Sequence, residues 1–358
     1  MTEDEVDVYR ALQQHMDSFP VRFPAREGEA ELRLLKRLFT PLEAQIATKL
    51  KFTGHPSETV DEIYPRVKDL GITKKDLTEI LDSMAKKGVI GYYREGKQKF
   101  YGNVPWVLGI YEYQVDKLTP ELVADIRHYY QSPPTEKIKS TEPSQMRTIP
   151  VGQSFRRDDS VTQYDDVQHL IEQSEGPFIV ANCICRQEKD ILGEPCQVSD
   201  NRELCFGIGK FTQGYLDLGW AREISKEEML AALEKNKAEG LVLRPSNTQE
   251  IEFVCNCCGC CCGGMYAAKA AHRPVDYFTT NYSALVDSDL CTSCGTCVNL
   301  CQMEAITLGD ESADIDLDRC IGCGVCVANC PSEAVSLKKK ETVHVPPETF
   351  EELYAQID

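Results

Sequence analysis

The sequence predicts an α+β protein in three parts: a helical N-terminal domain closed by a hairpin, a cysteine-rich α/β middle domain, and a small C-terminal module built on cysteine loops. Three observations predict it. Capped helical periodicity runs from about Leu32 to Gly88 and gives way to two short strand-like pieces. Between about 131 and 153 the chain turns to proline, serine and charge. Beyond it, two apolar strands each lead into cysteines, and between Cys291 and Pro331 two cysteine runs of matched spacing follow one another.

Residues 1–25 read as an acidic amphipathic lead ending near Pro20 and Pro24. LRLLKRLF from Leu32 has helical spacing, and Thr40-Pro41 offers a cap and a first-turn proline for LEAQIATKL. A second helix is expected from Glu58 to about Leu70, running through Pro65 and stopping at Gly71. A third starts at Thr73 and stops at Gly88. VIGYY and KFYGN then read as strands on either side of the charged, glycine-containing REGKQ. VPWVLGIYEY and a helix ending near Tyr130 close the domain.

Three helices followed by a hairpin resemble the winged helix-turn-helix of many bacterial transcription regulators, over about 30–104. The resemblance implies a DNA reader or a docking module. Phosphate contacts dominate DNA affinity. On the third helix Lys74, Lys75, Lys86 and Lys87 are offset by Asp76, Glu79 and Asp82, which favours docking or assembly. Arg94, Lys97 and Lys99 on the expected wing are the main argument for DNA.

QSPPTEKIKSTEPSQMRTIPVGQ, residues 131–153, has the composition of a linker. The resulting division is a winged-helix-like domain at 1–130, the linker, a middle domain at 154–284, a terminal module at 285–340 and a charged tail with a short helix at 341–358.

In the middle domain the strand PFIVA leads into Cys183-x-Cys185-Arg186, and Cys196 and Cys205 follow. A second strand, IEFV, leads into CNCCGCCCGG with Cys255, Cys257, Cys258, Cys260, Cys261 and Cys262. If both segments leave a sheet on the same side, the alternate residues Cys183 and Cys185 face one way, as do Cys255 with Cys257 or Cys260 with Cys262. Adjacent cysteines cannot, so the run must turn at Gly259 or divide its thiols between two faces. These ten thiols allow one or two further iron–sulfur clusters, a zinc site, or reactive or structural free thiols. Cys196 and Cys205 also suit the role of small buried apolar residues. Arg186, Lys210, Lys269 and Arg273 are the cations placed to offset thiolate charge.

The runs Cys291-x2-Cys294-x2-Cys297-x3-Cys301 and Cys320-x2-Cys323-x2-Cys326-x3-Cys330-Pro331 have the spacing of ligands to two iron–sulfur clusters. Three cysteines two residues apart wrap a loop around three corners of a cubane, and the fourth thiolate comes from elsewhere. At an offset of 29 residues, 291–308 and 320–337 match at nine of eighteen positions. The matches include Gly295 and Gly324 in the loops, where a Cβ would obstruct close approach to sulfide. Glu304-Ala305 and Glu333-Ala334 read as a helical turn leading into strands that end at Leu308 and Leu337. Structural zinc more often takes two separated cysteine pairs.

Over about 285–340 these residues resemble the bacterial two-[4Fe-4S] ferredoxin family. The resemblance implies a pseudo-twofold α+β module in which the last cysteine of each run serves the other cluster. It assigns Cys291, Cys294, Cys297 and Cys330 to one cluster and Cys320, Cys323, Cys326 and Cys301 to the other. Gln302 departs from the family, where proline usually follows the fourth cysteine. With CNCCGCCC included, residues 175–340 look like uncharacterised multi-cluster iron–sulfur proteins of anaerobic metabolism.

Net charge is −18, from 39 basic and 57 acidic residues. Residues 1–130 hold 19 basic against 21 acidic, leaving 20 against 36 in 131–358. An acidic surface there favours a redox partner with a basic patch and disfavours nucleic acid, although plain solubility asks for the same charge. MTEDEVDVYR lacks an apolar signal segment and the chain has no membrane-length apolar run, so a cytoplasmic location with reduced thiols is expected.

Other motifs fail. Gly207-x-Gly209 lacks the third glycine of a dinucleotide fingerprint, and Gly209-Lys210 is followed by Phe211 rather than Ser or Thr. His169, His272 and the other histidines are scattered. The expectation is an electron carrier or electron-transfer subunit relaying single electrons between partners through two [4Fe-4S] clusters, with further metal in the middle domain. A redox-sensing transcription regulator is one alternative. An oxidoreductase acting at the middle cysteines, Cys258 or Cys261, is another, without an organic-cofactor motif or an acid–base constellation to support it.

Overall fold

The structure, a computed structural model, describes residues 3–135, 143–151 and 163–357. It has two compact units. One comprises Met1–Thr141, Gln213–Trp220 and Tyr354–Asp358; the other comprises Glu142–Thr212 and Ala221–Leu353. The protein is α+β, with a helical N-terminal region, a mixed middle region and a C-terminal region of small sheets and cysteine loops.

The first unit begins with α1 (Glu3–Asp17), α2 (Ala30–Leu38), α3 (Pro41–Ala47), α4 (Val60–Val67) and α5 (Lys74–Lys87). Thr40, Thr59 and Thr73 each cap a helix and close a capping box with Glu43, Glu62 and Asp76, so paired donors are satisfied at the start of α3, α4 and α5. The second expected helix is shorter than its pattern. It is α-helical only to Val67 and tightens into a 3-10 turn, Lys68–Leu70, before Gly71. Gly88 ends α5 in the left-handed conformation. The hairpin β1 (Gly91–Glu95) and β2 (Gln98–Gly102) pairs Glu95 with Gln98, and α6 (Pro120–Gln131) follows. Leu12, Leu32, Leu35, Ile46, Leu77 and Leu81 are buried in the core.

The second unit contains α7 (Val167–Gln173), β3 (Phe178–Asn182), α8 (Ile184–Ile191) and β4 (Glu203–Ile208). The helix α9 (Gln213–Asp217) that comes next in sequence belongs to the first unit and packs on β1. Then follow β5 (Arg222–Ile224), α10 (Lys226–Ala238), β6 (Val242–Pro245), β7 (Phe253–Cys257) and α11 (Gly263–Lys269). The five strands form an antiparallel sheet in the order β5-β3-β4-β7-β6. The chain continues through β8 (Tyr282–Val286), α12 (Thr296–Leu300), β9 (Ile306–Leu308), β10 (Ala313–Ile315), α13 (Val325–Ala328), β11 (Val335–Lys339) and α14 (Phe350–Gln356). β8 pairs with β11 and β9 with β10, both antiparallel.

Three expectations change here. The break expected at 284/285 falls inside β8, and Val254, Phe206 and Met265 share one hydrophobic core with Ala284, Ile321, Val325 and Leu337. Middle sheet and terminal module are therefore packed as one body. The expected linker is not free along its length: Ile149 and Val151 are buried, and Arg147 donates to the carbonyls of Ser246, Thr248 (2.7 Å) and Tyr164 (2.7 Å). Arg147 is buried there because it satisfies carbonyl groups, while Pro133, Pro134 and Thr135 at the start of the stretch are exposed. The segments 136–142 and 152–153 of that stretch lie outside the described residues. Finally, Glu304 and Glu333 are not helical. Both take left-handed backbone, at φ 54° and 53°.

Candidate metal centres

The terminal module repeats its backbone as well as its sequence. Three pairs at the 29-residue offset share positive φ: Ser293 and Gly322 (49° and 62°), Gly295 and Gly324 (76° and 74°), Glu304 and Glu333. Hydrogen bonds repeat too. Asp287 N–H donates to the Ala334 carbonyl at 2.8 Å, and Asp316 N–H to the Ala305 carbonyl at 2.8 Å, so each half closes on the other. The two loops with their short helices α12 and α13 thus face one another about a pseudo-twofold axis.

A cavity in this module is lined by Cys301 of the first run together with Cys320, Cys323 and Cys326 of the second, and walled by Met303, Ile306, Ile321 and Val325. Backbone N–H groups point at two of its sulfurs: Ala305 to Cys301 Sγ at 3.2 Å and Ala284 to Cys320 Sγ at 3.4 Å. Burial pushes the Cys323 thiol up to about 12 and raises Cys326 and Cys301 as well. A metal centre reverses that preference, because coordination deprotonates a thiol outright. Of the other four, Cys291, Cys294 and Cys330 reach toward the surface and Cys297 does not. Cys294 is exposed, and the Thr296 hydroxyl and backbone N–H hold its thiol below the usual range. Cys297 is buried and raised, while Ser332 and backbone donors outweigh burial at Cys330 and lower it. All-thiol donor sets with N–H groups aimed at sulfur fit an iron–sulfur cluster.

The ten middle cysteines fall into two groups. Cys183 stands at the position before α8 and Cys185 lies in its first turn, so the two are brought together by a helix start, not by strand alternation. Cys205 on β4 stands opposite Cys255 on β7, and Cys257 follows on the same face. Cys205, Cys255, Cys257 and Cys262 perturb one another's thiols in series, and Cys183 and Cys185 lie near enough to feel the charge of Cys262. Arg244, which the sequence reading does not single out, is buried opposite Cys255 with its guanidinium 4.8 Å over the Phe278 ring. Hydrogen bonding to Cys255 and burial hold Cys257 well above its usual value, against the pull of Arg244. A lone cation alternating with Val242 beside the IEFVC strand is the signal the sequence offers for it.

The remaining four, Cys196, Cys258, Cys260 and Cys261, have all their sulfurs within 4.8 Å of one another. Separations are 3.6 Å for Cys196 to Cys258, 3.8 Å for Cys196 to Cys260, 3.5 Å for Cys258 to Cys260 and 3.7 Å for Cys260 to Cys261. The run therefore both turns after Gly259 and divides its thiols, with Cys257 and Cys262 in one group and Cys258, Cys260 and Cys261 in the other. Cys260 and Cys262 are not partners. Arg186, almost fully buried, donates to Cys258 Sγ at 3.5 Å and to the Asn201 carbonyl at 2.7 Å. Hydrogen bonding to Cys261, with help from the Arg186 charge, brings the Cys258 thiol down to about 4 against its burial. The other expected cations are engaged elsewhere: Lys269 with Glu304, Arg273 with Asp276 and Asp318, and Lys210 over the Phe211 ring.

Residues 290–334 match the family model of the 4Fe-4S dicluster domain. A dicluster iron–sulfur domain thus occupies part of the C-terminal region, and the chain carries at least one iron–sulfur cluster-binding site. Comparison with curated proteins and with solved structures found no match. Among the described residues, no helix is long and apolar enough to cross a membrane.

Proposed function

We propose that the chain is an iron–sulfur electron-transfer protein, or the electron-transfer subunit of a larger system, relaying single electrons between protein partners through two [4Fe-4S] clusters. Cys291, Cys294, Cys297 and Cys330 would hold one, and Cys320, Cys323, Cys326 and Cys301 the other. When bound, each cluster supplies a one-electron couple. The observation that carries this reading is the cavity where Cys301 meets the three cysteines of the opposite run. Exchange of the fourth ligand is what two facing loops require if each is to complete a set of four.

The chain's own groups would then tune the two sites differently. Ala305 and Ala284 N–H donors stabilise thiolate charge at Cys301 and Cys320, and the wall of Ile321, Val325 and Met303 excludes water. Exposed Cys294 marks the other set as the side where a partner exchanges electrons. The acidic excess in 131–358 favours a partner presenting a basic face. The N-terminal unit, read as winged-helix-like, would dock that partner. Two of its three wing cations argue for this over DNA binding, because Arg94 is paired with Asp217 at 2.7 Å and Lys99 with Asp82 at 2.8 Å, which leaves the exposed Lys97 as the third.

Anaerobic purification with iron and sulfide counting and EPR tests the reading. Two clusters require about eight iron atoms in the terminal module, and Cys323→Ser should lower the count by up to about four while one reduced-cluster signal persists. Colourless protein, or zinc in those two loops, would end it.

A further inference from the structure

We propose that Cys196, Cys258, Cys260 and Cys261 bind one zinc ion, as a mononuclear tetrahedral site separate from the iron–sulfur centres. The argument is one of size. Four thiolates at about 2.3 Å from a single zinc stand about 3.8 Å from one another, the edge of a tetrahedron. Four of the sulfur–sulfur separations here span 3.5 to 3.8 Å. A cubane cannot use such a set, because each thiolate binds its own iron at a separate corner and the sulfurs must stand well apart. The eight cysteines of the dicluster region are an internal control: among the described residues, they are not gathered at this spacing.

The chemistry of the donors agrees. A soft, all-thiolate tetrahedron suits zinc, or a single iron at the same bond length, which the metal count below tells apart, and a closed set of four cysteines leaves no open position for a substrate or water. Cys258 and Cys261 are separated by two residues, the spacing of one half of a zinc knuckle, with Gly259 between them. Four thiolates on a zinc dication leave two negative charges, and the buried Arg186 guanidinium on Cys258 offsets one. The Val198 N–H donates to Cys196 Sγ at 3.5 Å, a second support for thiolate charge. The ion would tie the loop after α8, which carries Cys196, to the turn after β7. It is a redox-silent staple, so the oxidoreductase reading at Cys258 or Cys261 loses its site. The inference does not rest on the relay reading.

The test uses the full chain purified without oxygen. Metal analysis should give about one zinc per chain, and zinc-edge X-ray absorption should show about four sulfurs near 2.3 Å. Cys261→Ser and Cys196→Ala should lose the zinc while iron and sulfide stay at the wild-type count. Loss of iron and sulfide together in those variants, a nitrogen or oxygen shell around the zinc, or wild-type protein without zinc would each overturn the proposal. Absorption on the wild type decides the matter even if a variant fails to fold. Failure of the relay reading shows separately, as missing iron and sulfide in wild-type protein.

Discussion

The side-chain carbonyl of Gln302 accepts a hydrogen bond from the buried Gly259 N–H at 2.8 Å. Gln302 holds the position where the second cysteine run has Pro331, a residue with no side-chain acceptor to offer. The turn itself survives the change: Cys301 N–H reaches the Val298 carbonyl and Cys330 N–H the Val327 carbonyl, both at 3.3 Å. The departure therefore joins the terminal module to the turn that carries Cys258, Cys260 and Cys261. Gln302→Ala strands a buried donor, and should cost about 1–3 kcal/mol. Gly259→Ala is harsher, since its Cβ would lie 2.1 Å from the Gln302 carbonyl oxygen. Denaturant unfolding should show both losses in that order, with metal at the four-thiol site lost first.

The pseudo-twofold is imperfect where it meets the sheet. Gly322 and Ser293 occupy equivalent left-handed positions, yet a Cβ at Gly322 would lie 2.1 Å from the Tyr282 carbonyl oxygen. Tyr282 opens β8, the strand that delivers Ala284 N–H to Cys320. Gly322→Ala should therefore push β8 away and reduce bound iron sharply. Ser293→Gly relieves left-handed strain of about 1–2 kcal/mol but gives up the bond from Ser293 Oγ to the Glu311 carbonyl, and should leave iron content unchanged. Equal iron loss in both variants would contradict this account.

Local signals are the ones legible in sequence. Thr73 and Gly88 bound α5 as capping chemistry requires, and the nine matches across the 29-residue offset correspond to a repeated backbone. What escapes depends on distant partners. Arg147 sits in a stretch rich in proline and serine, and only the carbonyls near Ser246 and Thr248, a hundred residues on, make it a buried residue. Cys196 reads as well as a small buried apolar residue as it does as a ligand, a common fate of free cysteine. Its three thiol partners come from the far side of the sheet sequence. Strand alternation pairs Cys183 with Cys185, but the chain enters α8 between them.

DNA binding by the N-terminal unit is open to a direct measurement. Arg94 binds Asp217 through two nitrogens, and Lys99 is held by Asp82, which also accepts from the Tyr101 hydroxyl at 2.7 Å. Phosphate would have to compete with these carboxylates. Fluorescence anisotropy with a labelled duplex at about 50 mM salt should show no salt-dependent binding, in either oxidation state. Arg94→Ala and Lys99→Ala should leave that result unchanged, since surface ion pairs add little to stability. A steep salt slope that weakens in these variants would favour the regulator reading.

His15 gives the first unit a pH dependence with a definite sign. Burial lowers its imidazole below the usual 6.5, and Lys49 adds to the effect, against the Leu50 carbonyl at 3.2 Å. Its ring also meets Phe19 edge-on at 5.1 Å. In the window between its folded value and 6.5, the unfolded chain binds more protons than the folded one, so stability falls as pH drops through that window. Above 6.5 both states are neutral and the contribution is flat. The capping carboxylates Glu62 and Asp76, held below their usual 4.5 and 3.8 by hydrogen bonds from Thr59 and Thr73, lose their contribution only below those values. Trp106 is buried in the same unit and reports its unfolding. The midpoint followed by its fluorescence should drop between about pH 7 and about pH 5.5 in wild type and stay level in His15→Gln. An equal drop in the variant would assign the dependence to other groups.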